Sequence, residues 1–254
     1  MIIDVNAFLG EWPFRKLSGD VNTLLRIMAK CKIDMALVSS LNAIFYKDCE
    51  EANVWLKRIL QTSKSLIGIC TINPYFPNSI ENLHECINEM GMVGVKIHPN
   101  YHGYNLEDNS IIDQFFKECS KAKIPIIIPL RIQDERSHHP SSKIPPISAS
   151  QIISAARKNS SLKIIVCNAK SNEESQICMK MHEFNNLYIA FSWVQSLNFI
   201  EKMVKNVGSN KLLWGSNFPI NYVEPMLRQV TESRIDEEDK EKILAENAKK
   251  IFSI

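Results

Sequence analysis

The chain predicts an α/β fold: a single closed (β/α)8 barrel, with a parallel eight-stranded sheet inside and helices outside. Three observations carry that expectation. Short apolar runs alternate strictly with amphipathic segments, the alternation repeats eight times, and 254 residues is the size of one such barrel. The runs are Ile2–Val5, Met35–Val38, Leu66–Ile72, Val93–Ile97, Pro125–Leu130, Lys163–Cys167, Leu187–Phe191 and Lys211–Trp214. They are rich in Ile, Val and Leu and mostly lack polar alternation, which suits parallel strands buried on both faces. An open doubly wound sheet would be expected to show a Gly-rich turn after an early strand, and no G-x-G-x-x-G occurs.

The elements follow in order. Ile2–Val5 opens the barrel, and Asp20 is placed to cap the helix VNTLLRIMAKC. Met35–Val38 leads to DCEEANVWLKRILQ, Leu66–Ile72 to SIENLHECINEM, and Val93–Ile97 to NSIIDQFFKECSKA. Pro125–Leu130 is followed by Arg131–Ile147, which holds three prolines and is too long for an ordinary βα loop, and then by SASQIISAARKN. Lys163–Cys167 leads to EESQICMKMHEF and Leu187–Phe191 to SLNFIEKMVKNV. Lys211–Trp214 leads to VEPMLRQV and to the closing DEEDKEKILAENAKKIF. Its acids lie early and Lys249 and Lys250 late, complementing the helix dipole. No linker, repeat or low-complexity stretch divides the chain, so residues 1–254 are expected to form one domain.

Composition narrows the partners. Lys+Arg 30 against Asp+Glu 28 gives a net charge of +2, without the basic excess of a nucleic-acid binder. No apolar run reaches the ~18 residues that a membrane span needs. The start, MIIDVNAFLG, lacks the basic leading segment of a signal peptide. The seven cysteines are scattered, odd in number and without a C-x-x-C, which reads as reduced thiols in a cytoplasmic protein.

In such a barrel, chemistry sits at the carboxyl ends of the strands. That rule selects Asn6, Phe8, Trp12 and Arg15 after the first strand, and Lys96, His98, Tyr101, His102 and Tyr104 around the end of the fourth. It adds Arg131, Asp134, Glu135, Arg136, His138 and His139 after the fifth, then Asn168 and Lys170, Ser192 and Trp193, and Ser216 and Asn217. His98 stands out because it ends a buried strand, where a polar ring needs a partner. Arg131 or Arg136 is suited to clamp a carboxylate or phosphate. Trp12, Tyr101, Tyr104 and Trp193 are suited to wall a pocket. The three asparagines read either as helix caps or as donors and acceptors to a polar ligand.

These residues resemble the amidohydrolase-2 family, TIM-barrel metal-dependent hydrolases and decarboxylases related to aminocarboxymuconate-semialdehyde decarboxylase. IIDVNAFLG is similar to the family's opening strand, LIGICTINPYFP and MVGVKIHP to its third and fourth, IPIII to its fifth, KIIVCNA to its sixth and LLWGSNFP to its eighth. ILAENAKKIF resembles its closing helix, with the Asn247–Ala248 pair. The resemblance implies a divalent metal, usually zinc, held by two histidines of strand one, a histidine after strand five and an aspartate after strand eight. A histidine after strand six assists. At those positions this chain has Asn6 and Phe8, Pro129, Asn217 and Asn168. The expectation is therefore that no metal is held at the family position, with zinc at a relocated site built from His98, His102, His138, His139 and Asp134 as the alternative.

The functional expectation is a hydrolase that acts on a small polar, carboxylate-bearing lactone, ester or amide by metal-independent acid–base chemistry. His98, Asp134 and His139 are its catalytic candidates; Asn6, Trp12, Arg15, Tyr101, His102, Arg131, Asn168 and Asn217 are its substrate-binding candidates. The alternatives are a catalytically silent barrel that binds a ligand or partner, and a metal-dependent hydrolase or decarboxylase with a relocated site. A homodimer is expected, as in related barrels. Arg131→Ala and His98→Ala are expected to lower turnover while leaving stability within ~1 kcal/mol.

Overall fold

The computed structural model describes residues 1–107, 110–193 and 196–254. Its strands are β1 (Ile3–Leu9), β2 (Met35–Ser40), β3 (Leu66–Gly68), β4 (Cys70–Thr71), β5 (Val95–Lys96), β6 (Ile126–Pro129), β7 (Ile164–Cys167), β8 (Leu187–Phe191) and β9 (Leu212–Trp214). All pairings are parallel. β3 and β4 are the two halves of the third predicted strand, interrupted at Ile69, whose N–H still donates to the Val38 carbonyl at 2.9 Å. The circle closes where the Asn217 N–H donates to the Asn6 carbonyl and the Phe8 N–H to the Phe218 carbonyl, both at 2.8 Å. Gly215 makes that closure possible, because a Cβ there would lie 2.7 Å from the Cβ of Asn6. The predicted barrel is thus the observed one.

The main outer helices are α1 (Val21–Cys31), α2 (Glu50–Leu60), α3 (Ser79–Asn88), α5 (Ser110–Lys121), α6 (Ala149–Lys158), α7 (Ser171–Met181), α8 (Phe199–Val207) and α9 (Val223–Thr231), with a short α4 (Pro99–His102) after β5. The tail runs α10 (Glu237–Glu241), a π turn over Lys242–Glu246, then α11 (Asn247–Phe252). Asp20 caps α1 as its position predicts: its carboxylate accepts from the Thr23 N–H at 2.9 Å. Asp20→Ala removes that acceptor, and thermal melting should show a loss of about 1 kcal/mol.

Two apolar layers hold the barrel. Inside, Ile3, Val5, Leu37, Ile69, Ile127, Ile165, Ala190 and Leu213 pack on one another, and Ala248, Ile251 and Phe252 of the tail join them. Outside, the opposite strand faces pack against the helices through residues such as Val38, Val95, Ile126, Val166 and Trp214. β1 is buried at every position from Ile3 to Leu9, Asp4 and Asn6 included, as a strand covered on both faces requires. A third cluster of Phe8, Trp12, Leu41, Ile44, Ile132 and Ile220 lies among the residues at and beyond the strand carboxyl ends. It covers the end where the sequence places the chemistry.

Candidate functional site

Local backbone geometry turns the asparagines into the mouth. The β1–β2 register slips between Asp4 and Ala7, a bulge beside Asn6. Asp4 fixes it by accepting from the Asn6 N–H at 3.0 Å and the Ser216 N–H at 2.9 Å. Asn168 and Asn217 follow β7 and β9 with φ of 57° and 56°. Asparagine is among the few residues that enter this left-handed region readily, so the type is matched to the turn as well as to the site.

The amides then close on one another. Asn6 Nδ2 donates to Asn168 Oδ1 at 3.1 Å, and Asn168 Nδ2 donates to Asn217 Oδ1 at 3.0 Å and to the Arg131 carbonyl at 2.8 Å. Asn217 Nδ2 donates to the Ile132 carbonyl at 3.1 Å, and the Ser192 hydroxyl donates to Asn168 Oδ1 at 2.6 Å. Lys96 completes the hub. Its Nζ donates to Asn6 Oδ1 at 2.9 Å and lies 3.9 Å from the centre of the Phe8 ring. Burial pulls the Lys96 ammonium down to about 8, while the Cys167 thiol and the Asp4 carboxyl act the other way. It therefore keeps its proton at neutral pH. All these side chains are buried. Lys96 is among the residues that the strand-end rule selects, but the apolar run VGVKI gives no sign of its place in the hub.

Arg131 is not free to clamp a ligand. Its guanidinium donates to Glu135 at 2.8 Å, to the Asn168 carbonyl at 2.9 Å, and to both carboxylate oxygens of Glu173. Lys170 donates to the other oxygen of Glu135. Glu173 also accepts from the Lys170 N–H at 2.8 Å at the start of α7, so this ion network ties the loop after β6 to α7.

The histidine candidates separate. His98 is fully buried, and neither ring nitrogen has a partner. Burial, then the neighbouring His102 and Lys96, hold it well below the usual imidazole range, so it is neutral. His102 lies beside it, with ring centres 6.0 Å apart and Nε2 against the Ala43 carbonyl at 3.3 Å. Tyr101 and Trp12 form an aromatic cap with Phe14 and Phe45, all in edge or tilted contact at 5.3–6.4 Å. Trp12 Nε1 donates to Gln133 Oε1 at 2.9 Å. His139 is exposed, and its Nδ1 accepts from the Ser141 N–H at 3.2 Å. Asp134 is held well below the usual carboxylate range, first by Arg136, which donates from Nε and Nη2 at 2.9 Å each. Such an anion is a poor proton acceptor, and among the described residues no hydrogen bond or ring contact joins His98, Asp134 and His139.

Beside the cap lies a cleft of about 300 Å3. Arg15, Gln133, Asp134, Trp193, Tyr222 and Met226 are among its walls. Arg15 is exposed and donates to the Ile220 carbonyl at 2.8 Å. Of the residues singled out from the sequence, Arg15, Asp134 and Trp193 reach this cleft. The predicted list passed over Gln133, Tyr222 and Met226, since nothing in QDE or NYVEPM marks them apart from loop residues.

A model of the amidohydrolase family matches residues 35–254. The chain belongs to the amidohydrolase family. Members of this family are enzymes. Solved structures agree on the fold of this family barrel. A 2,6-dihydroxybenzoate decarboxylase complexed with 2,6-dihydroxybenzoate matches with TM-score 0.81 and 15% identity, over 100% of this chain and 99% of that one. The 5-carboxyvanillate decarboxylase of Sphingomonas paucimobilis matches with TM-score 0.80 and 15% identity, over 100% and 99%. A dihydroxybenzoic acid decarboxylase from Polaromonas sp. JS666, with bound manganese and 2-nitroresorcinol, matches with TM-score 0.78 and 14% identity, over 99% and 96%. A search of curated proteins finds no match.

The expectation of no cofactor, with zinc at a relocated site as its alternative, is wrong for the family. Manganese is bound in the Polaromonas structure and in two 5-carboxyvanillate decarboxylase structures, so a divalent metal is the cofactor to which the family points. The residues that the resemblance sets against the family's ligands do not fit one. The three amides are turned on one another, Phe8 and Pro129 offer no side-chain donor, and an ammonium lies 2.9 Å from Asn6 Oδ1. Among the described residues, no group of three or more His, Cys, Asp or Glu is placed to hold a metal ion. Nor is any helix among them long and apolar enough to cross a membrane.

Proposed function

We propose that this chain is a one-domain family barrel, residues 1–254, that binds a small molecule in the cleft at its mouth without turning it over at the barrel axis. One observation carries the reading. The Asn6–Lys96–Asn168–Asn217 hub is buried and bonded to itself, and it lies next to an apolar cluster that includes Phe8, Trp12 and Ile220. A reacting group needs a place within hydrogen-bond reach of its acid or base, and donors and acceptors already bonded to one another provide none. Asn217, at the position of the family's aspartate, is an amide and no base at neutral pH.

The hydrolytic reading keeps one observation in its favour: the neutral imidazole of His98, buried with both nitrogens unpartnered. A single assay separates the two. Lactones, carboxylic esters, amides and hydroxybenzoates are supplied to the purified protein with and without manganese. Product and carbon dioxide are measured, and melting is followed in parallel. The expected result is no turnover above background, with selected compounds raising the melting temperature by about 3 °C at tenfold their Kd. Turnover abolished by His98→Phe would replace this reading with the hydrolytic one. Turnover that requires manganese would overturn both.

A further inference from the structure

The cleft holds donors that lack an acceptor. The Gln133 amide is 2% exposed and the Trp193 indole 7%. Neither Gln133 Nε2 nor Trp193 Nε1 has a hydrogen-bond partner, and both atoms are shielded from solvent. Buried donors in folded proteins nearly always have a partner, and leaving one without costs about 1–3 kcal/mol. Both residues wall the same cleft, which is therefore the space that can bring an acceptor to them after a small rotation of either side chain. Gln133 is oriented for this, because its Oε1 already accepts from Trp12 Nε1, which leaves Nε2 as its free end.

Charge points the same way. Asp134 is the carboxylate of the wall, and Arg136 neutralises it through paired hydrogen bonds. Arg15 remains at the rim as an exposed guanidinium whose bond to the protein is from Nη2 to a neutral carbonyl, at 2.8 Å. The local balance is one cation in excess. The other walls include Trp193, Tyr222 and Met226, apolar side chains that suit a planar apolar body.

We infer that this cleft takes the oxyanion of a small planar molecule, received by Gln133 Nε2, Trp193 Nε1 and the Arg15 guanidinium. The inference rests on the binding reading above and adds the ligand class and the residues that select it. A carboxylate and a phosphate ester offer the same acceptor chemistry, so both are tested.

The experiment is a ligand-observed NMR titration of the full chain with benzoate, phenyl phosphate and, as the neutral control, benzyl alcohol. Trp193→Phe keeps the ring and removes the N–H; Arg15→Met removes the exposed charge. Each variant is expected to weaken the bound anion roughly tenfold, as suits the loss of one charge-assisted hydrogen bond. Benzyl alcohol is expected to bind more weakly than either anion by a similar factor. Preference for benzoate marks a carboxylate ligand, and preference for phenyl phosphate a phosphate ester. Equal binding of benzyl alcohol overturns the inference, as does anion binding that survives both variants or no binding of either anion. The same samples are checked for product. Conversion of a bound probe would overturn the absence of turnover and leave the cleft assignment standing.

Discussion

Arg131→Met should destabilise the protein by about 3–5 kcal/mol, the cost of breaking a buried ion network from one side. Arg131 is 3% exposed and its guanidinium is bonded to Glu173, Glu135 and the Asn168 carbonyl. Methionine keeps the stem and removes the charge, which leaves the Glu173 carboxylate without its guanidinium partner. For a chain of this size the melting temperature should fall by roughly 6–15 °C. This replaces the expectation from sequence, that Arg131→Ala touches turnover and leaves stability almost unchanged. A double-mutant cycle with Glu173→Gln checks the cause: the two losses should overlap by more than about 1 kcal/mol, because they remove the same contact. Strict additivity, or a change in melting below 2 °C, would show that the network adds little and would return Arg131 to the ligand-binding candidates.

Glu174→Gln should stabilise the protein, and the gain should grow with pH. Glu174 is 1% exposed in the first turn of α7, and its Oε2 has no partner. Burial, followed by the adjacent Glu173 carboxylate, raises its carboxyl to about 8, and Arg131 opposes this. The unfolded carboxyl releases its proton near 4.5, whereas the folded one holds it until about 8. Between those values the folded state binds the extra proton, so stability falls as pH rises through the window and levels off above it. Glutamine is neutral throughout and removes the slope. The expected gain is on the order of 2–4 kcal/mol at pH 8.5, shrinking to nothing near pH 4.5. Chemical denaturation at four pH values reads it. A pH-independent difference would show that Glu174 is ionised in the fold.

Much of the fold was legible because it depends on patterns that repeat. Leu187–Phe191 is apolar at every position and came out as a strand with the predicted bounds. VNTLLRIMAKC, with Asp20 before it, came out as a helix with the predicted bounds and cap. Boundaries drifted where polar residues continue a strand. Ile2–Val5 grew into Ile3–Leu9, because Asn6 and the bulge beside it are buried inside the barrel. Leu66–Ile72 divided at Ile69, where the regular pairing passes from β3 with β2 to β4 with β5 while the Ile69 N–H keeps its bond to β2. Asn6, Phe8, Pro129, Asn168 and Asn217 stand against the family's ligand pattern only as the resemblance implies, since identity and order along the chain are all that it compares.

The sequence by itself determined the barrel and the family and named a set of candidate residues at the strand ends, because strand periodicity and segment order act locally and recur eight times. Only the tertiary structure decided how that set divides. It joined Lys96 to Asn6 across 90 residues and Arg131 to Glu173 across 42, and it left Arg15 at a cleft with Gln133 and Trp193. A polar side chain at a strand end has the same letters whether its partners are protein or ligand. Which of the two it meets depends on distances of about 3 Å between groups far apart in the chain, and those are set only when the barrel closes.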